Sequence, residues 1–232
     1  MTGSTERPAT AHAQLAAAVR GDLRPLVSDV PAAESPRQAA VLMLFGVLDD
    51  VPSDHRAADA AVAQDLDVLL LARATTLRAH PGQVAFPGGR LDPGDADATA
   101  AALREAHEET GLDPTGVEVL GAMPAVPLAF SRHLVTPVLG WWQHPSPVRV
   151  VDEGESAAVF RAPVADLLDP THRGVTVLRQ DGREWRGPAF TIDTDTGRHV
   201  VWGFTASLLD ALFTRLGWEE PWDRQHEVPL PA

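Results

Sequence analysis

The sequence predicts an α/β protein, more narrowly an α+β mixed sheet packed between helices. Three features carry that expectation. Strand-length apolar runs recur, most clearly at 38–48 (QAAVLMLFGVL) and 67–73 (DVLLLAR). Runs so short and so apolar read as strands buried on both faces. Only two or three segments have convincing helical periodicity. With 44% hydrophobic residues among 232, the chain can bury a substantial core as one ordinary domain with decoration at its ends.

In order, residues 1–36 are rich in Ala, Pro, Ser and Thr and read as a partly flexible N-terminal arm, with room for a short helix at 9–20. The domain itself is expected over 37–218. Its first strand run is followed by a polar, Ala-rich loop at 49–64 and then by the second run. A Pro- and Gly-punctuated loop at 80–94 (HPGQVAFPGGRLDPG) feeds a helix at 97–110. Asp95 or Asp97 suits its N-cap, and Gly111 stands where a C′ glycine belongs. Further strand-like runs lie at 117–126, 134–142 and 157–162, and 175–201 has the look of hairpins. The stretch 202–216 (WGFTASLLDALFTRL) has helical periodicity and closes the domain, leaving 219–232 as a C-terminal tail. No internal repeat is visible.

Composition excludes several kinds of chemistry. The chain has no cysteine, so thiolate metal sites, disulfides and a cysteine nucleophile are out. It has no lysine, tyrosine or asparagine either, which removes Schiff-base chemistry, a P-loop lysine and a tyrosine acid. No apolar run reaches the roughly 18 residues a membrane helix requires. Glu6, Arg20, Asp22 and Arg24 break any secretory-leader pattern, so a cytoplasmic location with no membrane partner is expected. A net charge of −13 argues against nucleic-acid binding. An acidic protein that handles an anionic substrate needs a local basic patch or divalent cations. Arg73, Arg78 and Arg90 supply such a patch: they bracket a window, 72–90, without a single acidic residue. Arginine forks suit phosphate oxygens; the plainer reading is a strand cap and an ordinary ion pair.

The helix at 97–110 is the most informative element. Glu105, Glu108 and Glu109 fall at i, i+3 and i+4 and so share a side of it. Three carboxylates on neighbouring turns repel one another, and near a helix C-terminus they also oppose the macrodipole. A hard divalent cation reverses that sign. Arg104 can steady one carboxylate by a bidentate contact. Ala102, Leu103 and Ala106 leave the other side able to lie close to a sheet. From charge alone, a solvated acidic helix competes evenly with a metal site.

Arg104 to Leu112 reads REAHEETGL, which resembles the second half of the Nudix box, R-E-hydrophobic-x-E-E-x-G-hydrophobic. Upstream, Gly89 and Asp95 resemble its glycine and first glutamate, with Asp in place of Glu and a spacer to Arg104 of eight residues rather than seven. That insertion, with Asp92 and Asp95 in GGxxDxxD form, is similar to the coenzyme A pyrophosphatase branch of the Nudix hydrolases. Arg73-Ala74, Arg78, Gly82 and Phe86-Pro87-Gly88-Gly89 likewise resemble the branch motif R-[S/A]-x3-R-x3-G-x3-FPGG, without the threonine usual before its first arginine. Val135 to Val138 and Val201 to Ala206 resemble the branch's VTPVV and WGLTA segments. The likeness runs from about Gln38 to Leu216.

The resemblance implies a Nudix fold, an α/β/α sandwich with the box as loop-helix-loop. It also implies metal-dependent hydrolysis of a nucleoside diphosphate linked to another group. The substrate implied is coenzyme A or acyl-CoA, cleaved to 4′-phosphopantetheine and adenosine 3′,5′-bisphosphate. Glu105, Glu109 and the Gly88 carbonyl become the expected ligands of Mg²⁺ or Mn²⁺, with Glu108 binding directly or through water. Arg73, Arg78, Gly89 and Arg90 become the substrate-binding set, and Glu108, Glu155 and Arg104 the catalytic one. The general base is Glu155, which aligns better than Glu153, or a box glutamate. Ala158 stands where relatives often carry glutamate. The alternatives are a pyrophosphatase for ADP-ribose, NADH or another dinucleotide, which the arginine motif disfavours, and a non-catalytic binding module, which the intact glutamates disfavour. The family likeness leaves a homodimer open.

Overall fold

The computed structural model describes residues 10–21, 26–27, 34–47, 52–76, 82–128, 132–180 and 183–230. The first half contributes α1 (Ala11–Arg20), β1 (Arg37–Val47), β2 (Leu66–Arg73), β3 (Val84–Ala85), β4 (Gly88–Arg90), α2 (Ala98–Thr110), β5 (Val117–Ala122) and β6 (Val126–Leu128). The second contributes β7 (His133–Trp142), β8 (Ser156–Pro163), α3 (Val164–Leu168), β9 (Arg173–Gln180), β10 (Arg183–Thr194), β11 (Gly197–Val201) and α4 (Gly203–Leu216).

Eight strands form a mixed sheet. Strand β1 runs parallel to β7 along one edge, from Arg37 beside His133 to Phe45 beside Trp141. Its other edge has two successive partners: β2 pairs with residues 45–47, and β4 with residues 39–41, both antiparallel. Strand β2 carries β8 along one side and β3 beside Leu71 and Ala72 on the other. Strands β1 and β2 thus part after three residue pairs, and the β3–β4 stretch fills the opening. The segment expected as a plain loop before the acidic helix is therefore partly sheet. Strands β5 and β6 share the outer edge of β7. The single run expected at 117–126 divides at 123–125 into β5 and β6, and the register of β5 with β7 shifts at Gly121 (φ +149°). The expected hairpins at 175–201 form a separate antiparallel sheet in the order β11-β10-β9.

Alternation along β1 divides the core. Ala40, Leu42 and Leu44 pack with Ala101, Ala102 and Ala106 of α2, whose small side chains bring the helix close to the sheet. Met43 and Phe45 pack on the opposite side with Leu15 of α1, Phe190 of β10, and Leu208, Leu212 and Phe213 of α4. Each fully buried Leu or Phe contributes about 1.5–3 kcal/mol. Helices thus cover both faces. Among the described residues no helix is long and apolar enough to cross a membrane.

Both flanks of the domain hold onto it. Thr10 caps α1, which packs against β5 and α4, and the buried Trp218 donates its indole N–H to Gln14. Downstream, the Val175 N–H donates to the His226 carbonyl at 2.8 Å and the Val228 N–H to the Val175 carbonyl at 2.9 Å, so this segment lies against β9. Arg173 anchors the same region. Its guanidinium, fully buried, bonds Asp210 of α4, lies 3.6 Å from Glu219, and is sandwiched between the rings of Phe190 (4.8 Å) and Trp222 (4.5 Å).

Candidate functional site

Helix α2 starts where Asp97 accepts from the Ala100 N–H at 2.9 Å, and it stops at Gly111, whose φ of +70° is the left-handed conformation that glycine adopts freely. This fixes which turn carries the acids. Of the two N-cap candidates Asp97 is the cap, and Asp95 does something else.

Asp95 is the partner of Arg104. The guanidinium donates Nε–H to Asp95 Oδ1 at 3.0 Å and Nη2–H to Oδ2 at 2.9 Å, a bidentate fork. The same Nη2 reaches the Arg90 carbonyl at 3.0 Å, while Nη1 reaches Glu105 at 3.1 Å and Glu108 at 3.0 Å. Arg104 therefore clamps the turn ahead of the helix to two of its glutamates. Its hydrogen bonds pull the Asp95 carboxyl below the ordinary carboxylate value, and Asp95 in turn pushes the guanidinium up. Charge position alone pointed to the arginine; its principal partner, two residues ahead of the cap, is a placement only the folded turn shows.

The three box glutamates separate. Glu108 is exposed and held by Arg104. Glu105 is half-buried, and its carboxylate lies so near the backbone of Gly89 that a Cβ there would stand 2.4 Å away. Glu109 reaches further under the sheet edge and accepts the Gly88 N–H at 2.9 Å. Burial raises both carboxyls. For Glu105 the nearby Arg104 opposes the rise. Glu109 is pushed up to about 7 by burial, with Glu105 and Glu155 adding to it and the Gly88 N–H and Arg73 opposing.

Of the other expected residues, Arg73 ends β2, half-buried, with its Nε buried and lacking any acceptor. Glu155, exposed, precedes β8; its carbonyl accepts the Ala74 N–H at 2.9 Å, which puts it beside the end of β2. Arg90 is exposed and contributes its carbonyl to Arg104. Arg78 and His80 lie outside the described residues. The fold thus gathers Glu105, Glu109, Gly88, Gly89, Arg73 and Glu155, and sets Glu108, Arg104 and Asp95 to one flank. His107 is turned away, Nδ1 2.8 Å from the Leu112 carbonyl. Trp142 is buried in the core, and Trp141 meets the ring of His12 edge-on.

Among the described residues no three carboxylate or imidazole groups already stand close enough to hold an ion. Yet the donor chemistry fits a hard divalent cation: two desolvated carboxylates one helical turn apart, beside a glycine backbone. The two glycines answer to different constraints. Gly88 has φ +156°, and a Cβ on it would meet the Ala40 carbonyl at 2.3 Å, so Gly88→Ala is expected to destabilise the fold by about 2 kcal/mol or more, measured by denaturant unfolding. The three atoms nearest a Cβ on Gly89 would all belong to the movable end of Glu105. Gly89→Ala is expected to leave the melting temperature nearly unchanged and to cut turnover at least about tenfold by displacing that carboxylate.

A profile of the NUDIX domain matches residues 54–180 of this chain. The chain belongs to the Nudix hydrolase family. It is 39% identical over 152 residues to the "Uncharacterized Nudix hydrolase NudL" of Escherichia coli (strain K12), covering 65% of this chain and 75% of the relative. To the protein of the same description from Salmonella paratyphi B it is 41% identical over 152 residues, with the same coverage. Among solved structures, a MutT/nudix family protein from Enterococcus faecalis superposes with a TM-score of 0.48 at 18% identity, covering 82% of this chain and 65% of that one.

Proposed function

We propose that this protein is a metal-dependent pyrophosphohydrolase whose substrate is coenzyme A or an acyl-CoA. The observation that carries the reading is the seating of Glu105 and Glu109 against Gly89 and Gly88, with the charge of Arg73 felt at Glu109. Mutual repulsion and burial disfavour two such carboxylates unless a cation joins them. Glu105, Glu109 and the Gly88 carbonyl would hold Mg²⁺ or Mn²⁺, with Glu108 directly or through a water. Bound there, the ion would neutralise the diphosphate, polarise phosphorus and acidify water.

The chain's own groups do the rest. Arg73, whose charge reaches Glu109, offers its guanidinium to a phosphate oxygen. Arg104, fixed by Asp95, keeps Glu105 and Glu108 from swinging away. Water attacks one phosphorus as the bridging P–O bond breaks; its proton passes to Glu155 or to a box glutamate, and the leaving phosphate carries off the bond electrons. Most of the rate enhancement then comes from positioning and charge stabilisation. Coenzyme A as the substrate rests on the arrangement of Arg73-Ala74, Arg78, Gly82 and Phe86 to Gly89.

A panel of diphosphates assayed with Mg²⁺ or Mn²⁺, with both products identified, tests this. The expected products from coenzyme A are 4′-phosphopantetheine and adenosine 3′,5′-bisphosphate, with none formed in chelator. A much larger kcat/KM for ADP-ribose or NADH would overturn the substrate; no metal-dependent cleavage of any diphosphate would overturn the reaction.

A further inference from the structure

We propose that Asp152 is a positioning residue for Glu155, holding in a capped turn the carboxylate that takes a proton from the attacking water. This rests on the diphosphate reading above, with Glu155 as the base within it, and adds a residue that neither the box nor the arginine motif contains.

Residues 149–155 form a strap fastened at both ends. At its start the Arg149 N–H donates at 2.9 Å to the carbonyl of Thr110, the last residue of α2 and the one after Glu109. Two residues on, Val151 lies beside Gly111, where a Cβ would stand 3.7 Å from its side chain. At the far end the Glu155 carbonyl accepts the Ala74 N–H at 2.9 Å, and Ser156 enters β8 opposite Arg73. The strap thus joins the end of the helix that carries Glu109 to the end of the strand that carries Arg73. Its anchors are backbone hydrogen bonds, which fix where the strap lies but not how the Glu155 side chain leaves it.

Asp152 supplies that control. Its carbonyl accepts the N–H of Glu155 at 3.1 Å and of Ser156 at 3.0 Å, closing a single turn over 152–156. Its carboxylate Oδ1 also accepts the Gly154 N–H at 2.7 Å. A side-chain oxygen bonded to the backbone two residues on is how Asp and Asn hold a turn. Gly154 suits the arrangement, because a Cβ there would stand 3.0 Å from that same oxygen. Residues 151–155 are all exposed, and the first buried residue is Ser156. Core packing therefore does not aim Glu155; the hydrogen bonds of the turn do. A base must meet its water within hydrogen-bond reach, and a shift of about 1 Å is enough to lose much of its effect.

The test follows coenzyme A hydrolysis by the full chain with Mg²⁺ or Mn²⁺. Asp152→Ala is expected to lower kcat about tenfold, with KM within about twofold of wild type and the melting temperature unchanged. Asp152→Asn, whose amide oxygen can still accept the Gly154 N–H, is expected to regain most of that kcat. Because Asp152 acts through Glu155, Asp152→Ala should cost nothing further in a Glu155→Gln background. Wild-type kcat in Asp152→Ala, no recovery in Asp152→Asn, or equal losses in both backgrounds overturns the positioning role and leaves the diphosphate reading standing. Full kcat in Glu155→Gln does the same, since the base is then a box glutamate. If the wild type cleaves no diphosphate, both fall. Amide exchange in the wild type adds a measurement that needs no variant: the Gly154 N–H is expected to exchange at least about fivefold more slowly than in an unstructured peptide, and exchange at the unstructured rate overturns the capped turn.

Discussion

Glu109→Gln is expected to reduce coenzyme A turnover by about 10³-fold or more while making the metal-free protein more stable above pH 7. The loss follows from removing one of two carboxylates proposed to hold the cation, whose charge stabilisation is worth several kcal/mol. The gain follows from linkage. In the folded chain burial raises this carboxyl to about 7 from the ordinary 4.5. Between those values the folded protein keeps a proton that the unfolded chain releases, so stability falls as pH rises through the window. What is fully present below pH 4.5 is lost above pH 7, at most about 3.5 kcal/mol at roughly 1.4 kcal/mol per pH unit. Glutamine cannot ionise and should flatten this slope. Urea melts at pH 5 and pH 8 in chelator, with wild type and variant side by side, read it directly. Equal slopes would show that Glu109 is not desolvated, and undiminished turnover would remove it from the metal set. A saturating divalent cation should erase most of the wild-type slope, because an ion in place supplies the charge that burial withholds.

Arg173→Met is expected to cost about 3–5 kcal/mol of stability, the scale of breaking a buried pair from one side. The guanidinium lies fully buried between Phe190 and Trp222 with Asp210 and Glu219 against it. Burial lowers its pKa even so, a sign that desolvation outweighs its partners. Methionine fills part of the space and leaves Asp210 without its cation, while Glu219 keeps Thr214, Trp222 and Arg224. For a chain of this size the melting temperature should drop by about 10 °C. Arg173→Met with Asp210→Leu should recover part of the loss, since the unpaired charge and not the missing bond is the larger penalty. A single variant that melts within 2 °C of wild type would show that the sandwich adds nothing.

Much of the sheet was legible because strands buried on both faces need continuous apolar runs, as in β1 and β2, while β8 shows the alternating burial of a strand with one face outward. Helix α2 was legible from its punctuation, Asp97 and Gly111, more than from propensity. What local pattern could not show was long-range pairing. Strands β3 and β4 hold only two and three residues and exist because β1 and β2 diverge and leave edges to fill. The same applies at the candidate site. The i, i+3, i+4 spacing made Glu105, Glu108 and Glu109 equivalent, whereas the fold presses two of them against glycines and leaves the third in solvent on Arg104.

The hydrogen bond between Trp218 and Gln14 has a mechanical corollary. A tether pulling on residue 10 and on residue 218 would load the indole-amide contact, the contacts of His12 with Glu118 and Trp141, and the apolar seam under Leu15 before any strand pair came under tension. In a force-extension trace the helix at the front should peel off first as a small early step, with the sheet giving way later in one larger event.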